Sequence, residues 1–145
     1  MTAFDLHIVF DCADPDRVAQ FWKAALGGYD FPMPVPDGFL TWDDWADAQQ
    51  IPVEKRPTGR TLVDKVRDRP DIFFLQVPEA KLFKNRLHLD IKVAPGLSGD
   101  ERRTAVDAEV DRLIELGGGV VRRTDEPDGY FVVMQDPESN EFCVA

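Results

Sequence analysis

One short segment carries side chains whose types could bind a metal ion or transfer a proton. The segment NRLHLDIKV, residues 85–93, alternates polar and apolar residues, which places the two classes on opposite faces of a β-strand. Arg86, His88 and Asp90 then share one face. An imidazole and a carboxylate there can hold a metal ion or transfer protons, and a guanidinium can bind an anion. The structural alternative is a solvated strand face with ion pairs.

Candidate ligands elsewhere are few, because the chain has only two histidines and two cysteines. The segments LHIVFD (6–11) and LHLDIK (87–92) both begin Leu-His, so His7 and His88 hold matching positions. The cysteines, Cys12 and Cys143, are far apart in sequence. In a chain without a secretory signal, two such cysteines indicate reduced thiols and no disulfide.

Two helices follow these Leu-His segments. In ADPDRVAQFWKAALGG, Asp14 can cap the helix, Pro15 suits its first position and Gly27 or Gly28 can end it. The second helix lies in DERRTAVDAEVDRLIELGGG. Each has an apolar face at helical spacing: Val18, Phe21, Trp22, Ala25 and Leu26 in the first, and Val106, Val110, Leu113 and Ile114 in the second.

Strand-like segments follow each helix, and the order strand, helix and three strands occurs twice. The predicted strands are YDFPM, GRTLVDKV and DIFFLQVP in the first half and GVVRRT, GYFVVMQ and EFCVA in the second. The turn-forming residues DPESN join the last two strands. The repetition predicts an α+β fold of two tandem βαβββ units within a single domain, 1–145. The units span about 1–80 and about 85–145.

Residues 34–60 interrupt this pattern in the first half. They include several prolines, two tryptophans and a short helical possibility at WDDWADAQQ. A segment of this length between strands is often a lid or a binding loop, in which Trp42 and Trp45 would stack on a ligand. The alternative is a surface helix whose tryptophans cover a sheet edge.

The charge of the chain argues against two classes of partner. There are 27 acidic and 17 basic side chains, a net charge of −10, whereas nucleic acids and anionic membrane surfaces bind clustered Lys and Arg. No apolar segment approaches the roughly 20 residues of a membrane-spanning helix, and the first residues lack the features of a secretory signal. We therefore expect a cytoplasmic protein that binds neither nucleic acid nor membrane.

Three segments carry a family resemblance: FDCADPDRVAQFW, VPEAKLFKNRLHLDIKV and DPESNEFCV. Together with the duplicated βαβββ unit, they resemble the vicinal oxygen chelate superfamily of glyoxalases, bleomycin-resistance proteins and extradiol dioxygenases. The similarity is greatest to its glyoxalase-like branch and covers nearly the whole chain. The resemblance implies open, curved sheets around a cleft, and a homodimer.

The resemblance also implies a set of metal ligands. In metal-dependent members, ligands come from the first strand of each unit and from the last strand of one or both. The corresponding residues are His7, His88 and Cys143, and Cys143 stands where such members usually have a carboxylate. Two histidines and a cysteine can form a catalytic zinc shell, and Glu141 is the alternative third ligand. The implied cofactor is a divalent zinc, manganese, nickel or iron ion, or none.

Two functions follow as alternatives. The first is a metal-dependent enzyme that isomerises, lyses or oxygenates a small oxygenated metabolite, with Asp90 assisting proton transfer. The second is a metal-free binding protein similar to drug-sequestering resistance proteins. Cys143 favours the binder, and the matched histidines favour the enzyme. The predicted ligand-binding residues are Arg86, His88, Gln76, Trp42 and Trp45.

Overall fold

Each half of the chain folds around its own four-stranded sheet. The computed structural model describes residues 3–127 and 129–145, and the chain divides into the units Met1–Ala80 and Lys81–Ala145. In both sheets the first strand of the unit pairs in parallel with the last strand, and the other pairs are antiparallel. Both sheets therefore have equivalent strand orders. This arrangement confirms the predicted α+β fold of two βαβββ units.

In its described residues the first unit contains a short 3-10 helix at Val53–Lys55 as well as four strands and two α-helices. The strands and α-helices are β1 (His7–Cys12), α1 (Pro15–Leu26), β2 (Tyr29–Asp30), α2 (Trp42–Ala48), β3 (Gly59–Asp64) and β4 (Asp71–Gln76). The start of α1 is as predicted: the Asp14 side chain accepts the Arg17 backbone N–H, and Pro15 takes the first helical position. The predicted apolar face packs against β3 and β4, with Leu26 only half-buried. The strand predicted at YDFPM is shorter, because Pro32 has no N–H to donate to a sheet.

The faces of β1 are decided by its packing against α1 and β4. The ring of Phe10 lies 5.2 Å from that of Trp22 and 5.4 Å from that of Phe74, measured between centroids. Because side chains alternate along a strand, the opposite face carries His7, which is exposed.

The second unit contains four strands and one helix in its described residues. They are β5 (Asp90–Ile91), α3 (Gly99–Glu115), β6 (Gly119–Glu126), β7 (Gly129–Gln135) and β8 (Glu141–Val144). Val106, Val110 and Leu113 of α3 are fully buried, but Ile114, which the spacing predicts for the same face, is 45% exposed. Leu113 takes the last core position, and the next residue lies about 100° further round the helix. No helix in the described part of the chain is long and apolar enough to cross a membrane.

The strand predicted over residues 85–93 is largely wrong in extent. Regular pairing is confined to Asp90–Ile91, and Leu87 of the predicted apolar row is 74% exposed. Backbone hydrogen bonds from Cys143 N–H to the Leu89 carbonyl and from Val93 N–H to the Ala145 carbonyl extend the contact with β8 slightly. The physical reason is the length of β8, whose four residues offer no partners to residues 85–88.

Candidate functional site

The second unit brings together three side chains with metal-binding donor atoms. Asp90 of β5 lies opposite Cys143 of β8 in the parallel pair, and residues in register project from the same face of a sheet. The Nδ1 atom of His88 lies 3.3 Å from Asp90 Oδ1. One donor atom from each of these three residues lies within 4.8 Å of the other two. We refer to them as the His-Asp-Cys cluster.

The three members differ in exposure and therefore in electrostatics. The side chains of His88 and Asp90 are 42% and 40% exposed, whereas Cys143 is 9% exposed. Burial raises the pKa of the Cys143 thiol, and the negative charge of Asp90 and its hydrogen bond with the thiol raise that pKa further. The thiol therefore keeps its proton at neutral pH unless a cation replaces it.

The donor set of the cluster fits a divalent metal ion. Imidazole, carboxylate and thiolate are all zinc ligands. The largely buried thiol, held protonated beside a carboxylate, is a group whose proton a bound cation would displace. The sequence predicted His88 and Cys143 as ligands and assigned Asp90 a proton-transfer role. The strand register adds Asp90 to the set of potential ligands.

The alternative ligand, Glu141, is engaged in a different contact. Its carboxylate accepts the backbone N–H of Asn85 at 2.8 Å and the ammonium of Lys81 at 3.2 Å. Burial alone would raise the pKa of Glu141, but the hydrogen bonds from Asn85 and Lys81 bring that pKa below its ordinary value. Glu141 thus fastens residues 81–85 to β8 and is not one of the clustered donors.

The remaining predicted residues lie outside the His-Asp-Cys cluster. Arg86 is exposed, and its side chain has no hydrogen-bond or ion-pair partner among residues 3–127 and 129–145. His7 is at the start of β1, and Gln76 ends β4 with its Nε2 donating to the Ala13 carbonyl at 3.1 Å. His7 and Gln76 belong to the first unit, whereas the cluster belongs to the second.

A cavity in the first unit contains the two predicted tryptophans. Trp42 and Trp45 of α2 line a cavity of about 300 Å³ together with Phe31, Met33 and Ile51. The two indole rings are in edge-to-face contact, with centroids 5.5 Å apart and an interplanar angle of 83°. Both side chains are half-buried, so part of each ring is not covered by protein. We call this space the aromatic cavity.

A second, polar cavity of about 250 Å³ adjoins the first. It is lined by Asp14, Asp16 and Gln76. The two cavities share four lining residues, which are Asp43, Arg56, Pro57 and Arg60. The polar cavity therefore continues from a wall of the aromatic cavity.

A buried ion pair holds this shared wall. Arg60 Nε lies 3.2 Å from Asp16 Oδ1, and the two side chains are only 10% and 6% exposed. Burial raises the pKa of Asp16, and the positive charge of Arg60 partly opposes that increase. The sequence did not indicate this pair, because Asp16 is an ordinary acidic residue of a first helical turn and Arg60 lies in a strand.

Comparisons with known proteins agree with this fold. Residues 7–145 match the family described as Glyoxalase-like domain, and no curated protein matches the chain. A glyoxalase/bleomycin resistance protein/dioxygenase family enzyme from Burkholderia phytofirmans PsJN is 16% identical with a TM-score of 0.61, over 95% of this chain and 94% of that chain.

Two fosfomycin resistance proteins are also similar in fold. FosX from Mesorhizobium loti is 12% identical with a TM-score of 0.59, over 99% of this chain and 91% of that chain. A mutant of FosX from Listeria monocytogenes, in complex with Mn(II) and 1S,2S-dihydroxypropylphosphonic acid, is 10% identical with a TM-score of 0.60, over 99% and 90% of the two chains. The predicted resemblance to the glyoxalase-like branch is thus confirmed, and the chain belongs to the glyoxalase-like domain family.

Proposed function

We propose that this protein is a glyoxalase-like enzyme that binds a divalent metal ion and a small oxygenated metabolite. The observation that carries the proposal is the convergence of His88, Asp90 and Cys143 donor atoms within 4.8 Å. Membership of the glyoxalase-like family and the fold shared with a FosX protein solved with Mn(II) support it. Because the set contains nitrogen, oxygen and sulfur donors, zinc is the preferred ion.

Each cluster residue has a defined part in this proposal. Cys143 and His88 would hold the ion, and Asp90 would complete the set while keeping the imidazole oriented through its contact with Nδ1. The ion, when bound, would polarise the oxygens of the metabolite as a Lewis acid. Loading would release the thiol proton of Cys143, since only the thiolate is a ligand. The reaction class that fits is isomerisation or lysis.

Metal analysis of protein purified without chelator tests this function. After reconstitution with zinc, manganese, nickel or iron, we expect one bound ion per chain. The variants His88→Ala, Asp90→Asn and Cys143→Ser should each weaken metal binding at least about tenfold. Cys12→Ser is the matched control, because Cys12 is a buried thiol in the first unit whose Sγ donates to the Leu75 carbonyl.

A cobalt-loaded sample adds a readout that does not depend on activity. It should show thiolate-to-cobalt absorption that Cys143→Ser loses and Cys12→Ser retains. Absence of a stoichiometric ion with all four metals would overturn the proposal. Retention of the ion in all three cluster variants would show that the ligands lie elsewhere. The further prediction that His7 contributes a ligand is tested in the same way with His7→Ala.

A second candidate function is metal-free binding of a small molecule. It is favoured by the aromatic cavity, whose volume of about 300 Å³ and two half-buried indoles suit an aromatic ligand. In this case ligand binding should survive treatment with a chelator and the Cys143→Ser substitution. Loss of binding under either condition would favour the metal-dependent function.

We also propose a homodimer, as the resemblance implies. Sedimentation of the purified chain measures its mass in solution directly. A mass of twice 16.4 kDa is expected, and a monomer at all concentrations would contradict the proposal.

A further inference from the structure

We propose that the aromatic cavity binds a flat aromatic molecule that carries a protonated amine. The ring would lie against Trp42 and Trp45, and the amine would donate to Asp43, which lines both cavities. The proposal rests on the second candidate function, whose ligand class it specifies. It does not require the metal ion, because no residue of the His-Asp-Cys cluster lines the cavity.

The size and lining of the cavity select a flat ring. A volume of about 300 Å³ lies at the lower end of the range for small-molecule sites, which suits one bicyclic ring better than a large ligand. The indoles of Trp42 and Trp45 meet at 83° and so present surfaces in two directions. Aromatic ligands gain from both offset stacking and edge-to-face contact with such rings.

Asp43 is the acidic residue of the shared wall, and one of its carboxylate oxygens retains hydrogen-bonding capacity. Its Oδ1 atom lies 3.4 Å from Arg60 Nη2 and 3.8 Å from Arg56 Nη1. Its Oδ2 atom has no hydrogen-bond partner in the described part of the chain, and the side chain is 46% exposed. A carboxylate oxygen accepts N–H donors, and a charged donor forms the stronger bond.

The positive charges around the cavity are mostly satisfied by the protein itself. Arg56 and Arg60 each contact two carboxylates and donate to a backbone carbonyl, so they offer little to an anion. Lys55, the third cation of the lining, is exposed. Indole faces attract cations, and the net charge of −10 raises their concentration near the protein. Together these features favour a ligand that carries a protonated amine over one that carries a carboxylate.

Three probes with the same ring and different charge test the ligand class. Tryptamine is the cation, indole is neutral and indole-3-acetate is the anion. We expect calorimetric titration of the full chain to show tryptamine binding at least about tenfold more tightly than indole-3-acetate, with indole between them. Neither a chelator nor Cys143→Ser should change this order.

Variants of the cavity residues distinguish the contribution of the ring to binding from that of the amine. Asp43→Asn keeps an oxygen for the two arginines, so indole should bind as before while tryptamine falls to the affinity of indole. Trp42→Ala and Trp45→Ala should weaken all three probes. Phe4→Ala is the matched control, because Phe4 is an exposed aromatic residue of the same unit that does not line the cavity.

Several results would overturn the proposal in distinguishable ways. Tighter binding of indole-3-acetate, or equal binding of tryptamine to the protein and to Asp43→Asn, would exclude the amine and leave the metal-free binder intact. Failure of all three probes to bind would overturn the ligand class, whereas loss of probe binding with a chelator or in Cys143→Ser would overturn the metal-free function. Retention of indole binding in both tryptophan variants would show that the ring lies elsewhere.

Discussion

Replacing Asp136 by alanine should remove a large part of the stability of the second unit. The residue opens the turn between β7 and β8, is 4% exposed, and accepts the backbone N–H groups of Glu138 and Asn140 at 2.9 and 3.0 Å. It also accepts the side-chain amide of Asn140, which is 8% exposed. Alanine would leave the N–H groups of Glu138 and Asn140 without the carboxylate that accepts them. Little water can take the place of that carboxylate, because the site is buried.

The expected loss follows from the three donor groups that Asp136 accepts. A buried donor left without its acceptor costs about 1–3 kcal/mol. Asn140 supplies two such donors and Glu138 supplies one that is only partly buried, so we expect a loss of about 3–4 kcal/mol. With a slope of about 1.5–2 kcal/mol per molar urea, the unfolding midpoint should fall by about 2 M.

Urea denaturation followed by circular dichroism measures this change. Asp136→Asn retains one acceptor oxygen and should lose about half as much stability as Asp136→Ala. Ser139→Gly is the control in the same turn: Ser139 has φ of 69°, where glycine avoids side-chain strain, so its stability should be unchanged or higher by up to about 1 kcal/mol. A loss below about 1 kcal/mol in Asp136→Ala would refute the reasoning.

Two further predictions concern the first unit. Gly28→Ala should destabilise by about 1–2 kcal/mol more than Gly27→Ala in thermal melts. Both glycines have positive φ, but a Cβ on Gly28 would lie 2.6 Å from Arg69 Nη2 and would displace the hydrogen bond from Arg69 to Asp64. Equal losses of stability in the two variants would contradict this reasoning. The hydrogen bond from Arg69 lowers the pKa of Asp64 from 3.8 to about 2. The ionised Asp64 carboxylate therefore stabilises the folded state fully above about pH 4, and this stabilisation is lost as pH falls through 2. The urea midpoints of the protein and Asp64→Asn should therefore differ most at pH 6, draw closer below about pH 4 and meet only below about pH 2. A constant difference would contradict the assignment.

The repeated fold could be read from the sequence because its signals are local. The cap at Asp14 and the helical spacing of Val106 and Val110 depend on residues within a few positions of one another. The turn at DPESN is equally local, since Asp136 binds the N–H groups of residues two and four positions later. Duplication of the pattern then indicated two βαβββ units, which the observed sheets confirm.

The extent of β5 shows where local reasoning fails. Alternation predicted a full strand over residues 85–93, yet only Asp90–Ile91 pairs regularly. A strand needs a partner along its length, and the length of β8 is not encoded in residues 85–93. Ile114 is a similar case, since helical spacing alone does not say where a sheet ends beneath a helix.

The sequence by itself determined the repeated units and placed His88 and Asp90 on one face. Tertiary structure decided which residues accompany them: the parallel register sets Asp90 beside Cys143, and the Asn85 and Lys81 contacts occupy Glu141. The packing of α2 and the Arg56 and Arg60 ion pairs likewise formed the aromatic cavity. The physical reason is that periodicity and capping act between near neighbours, whereas register and cavities depend on residues brought together from distant parts of the chain.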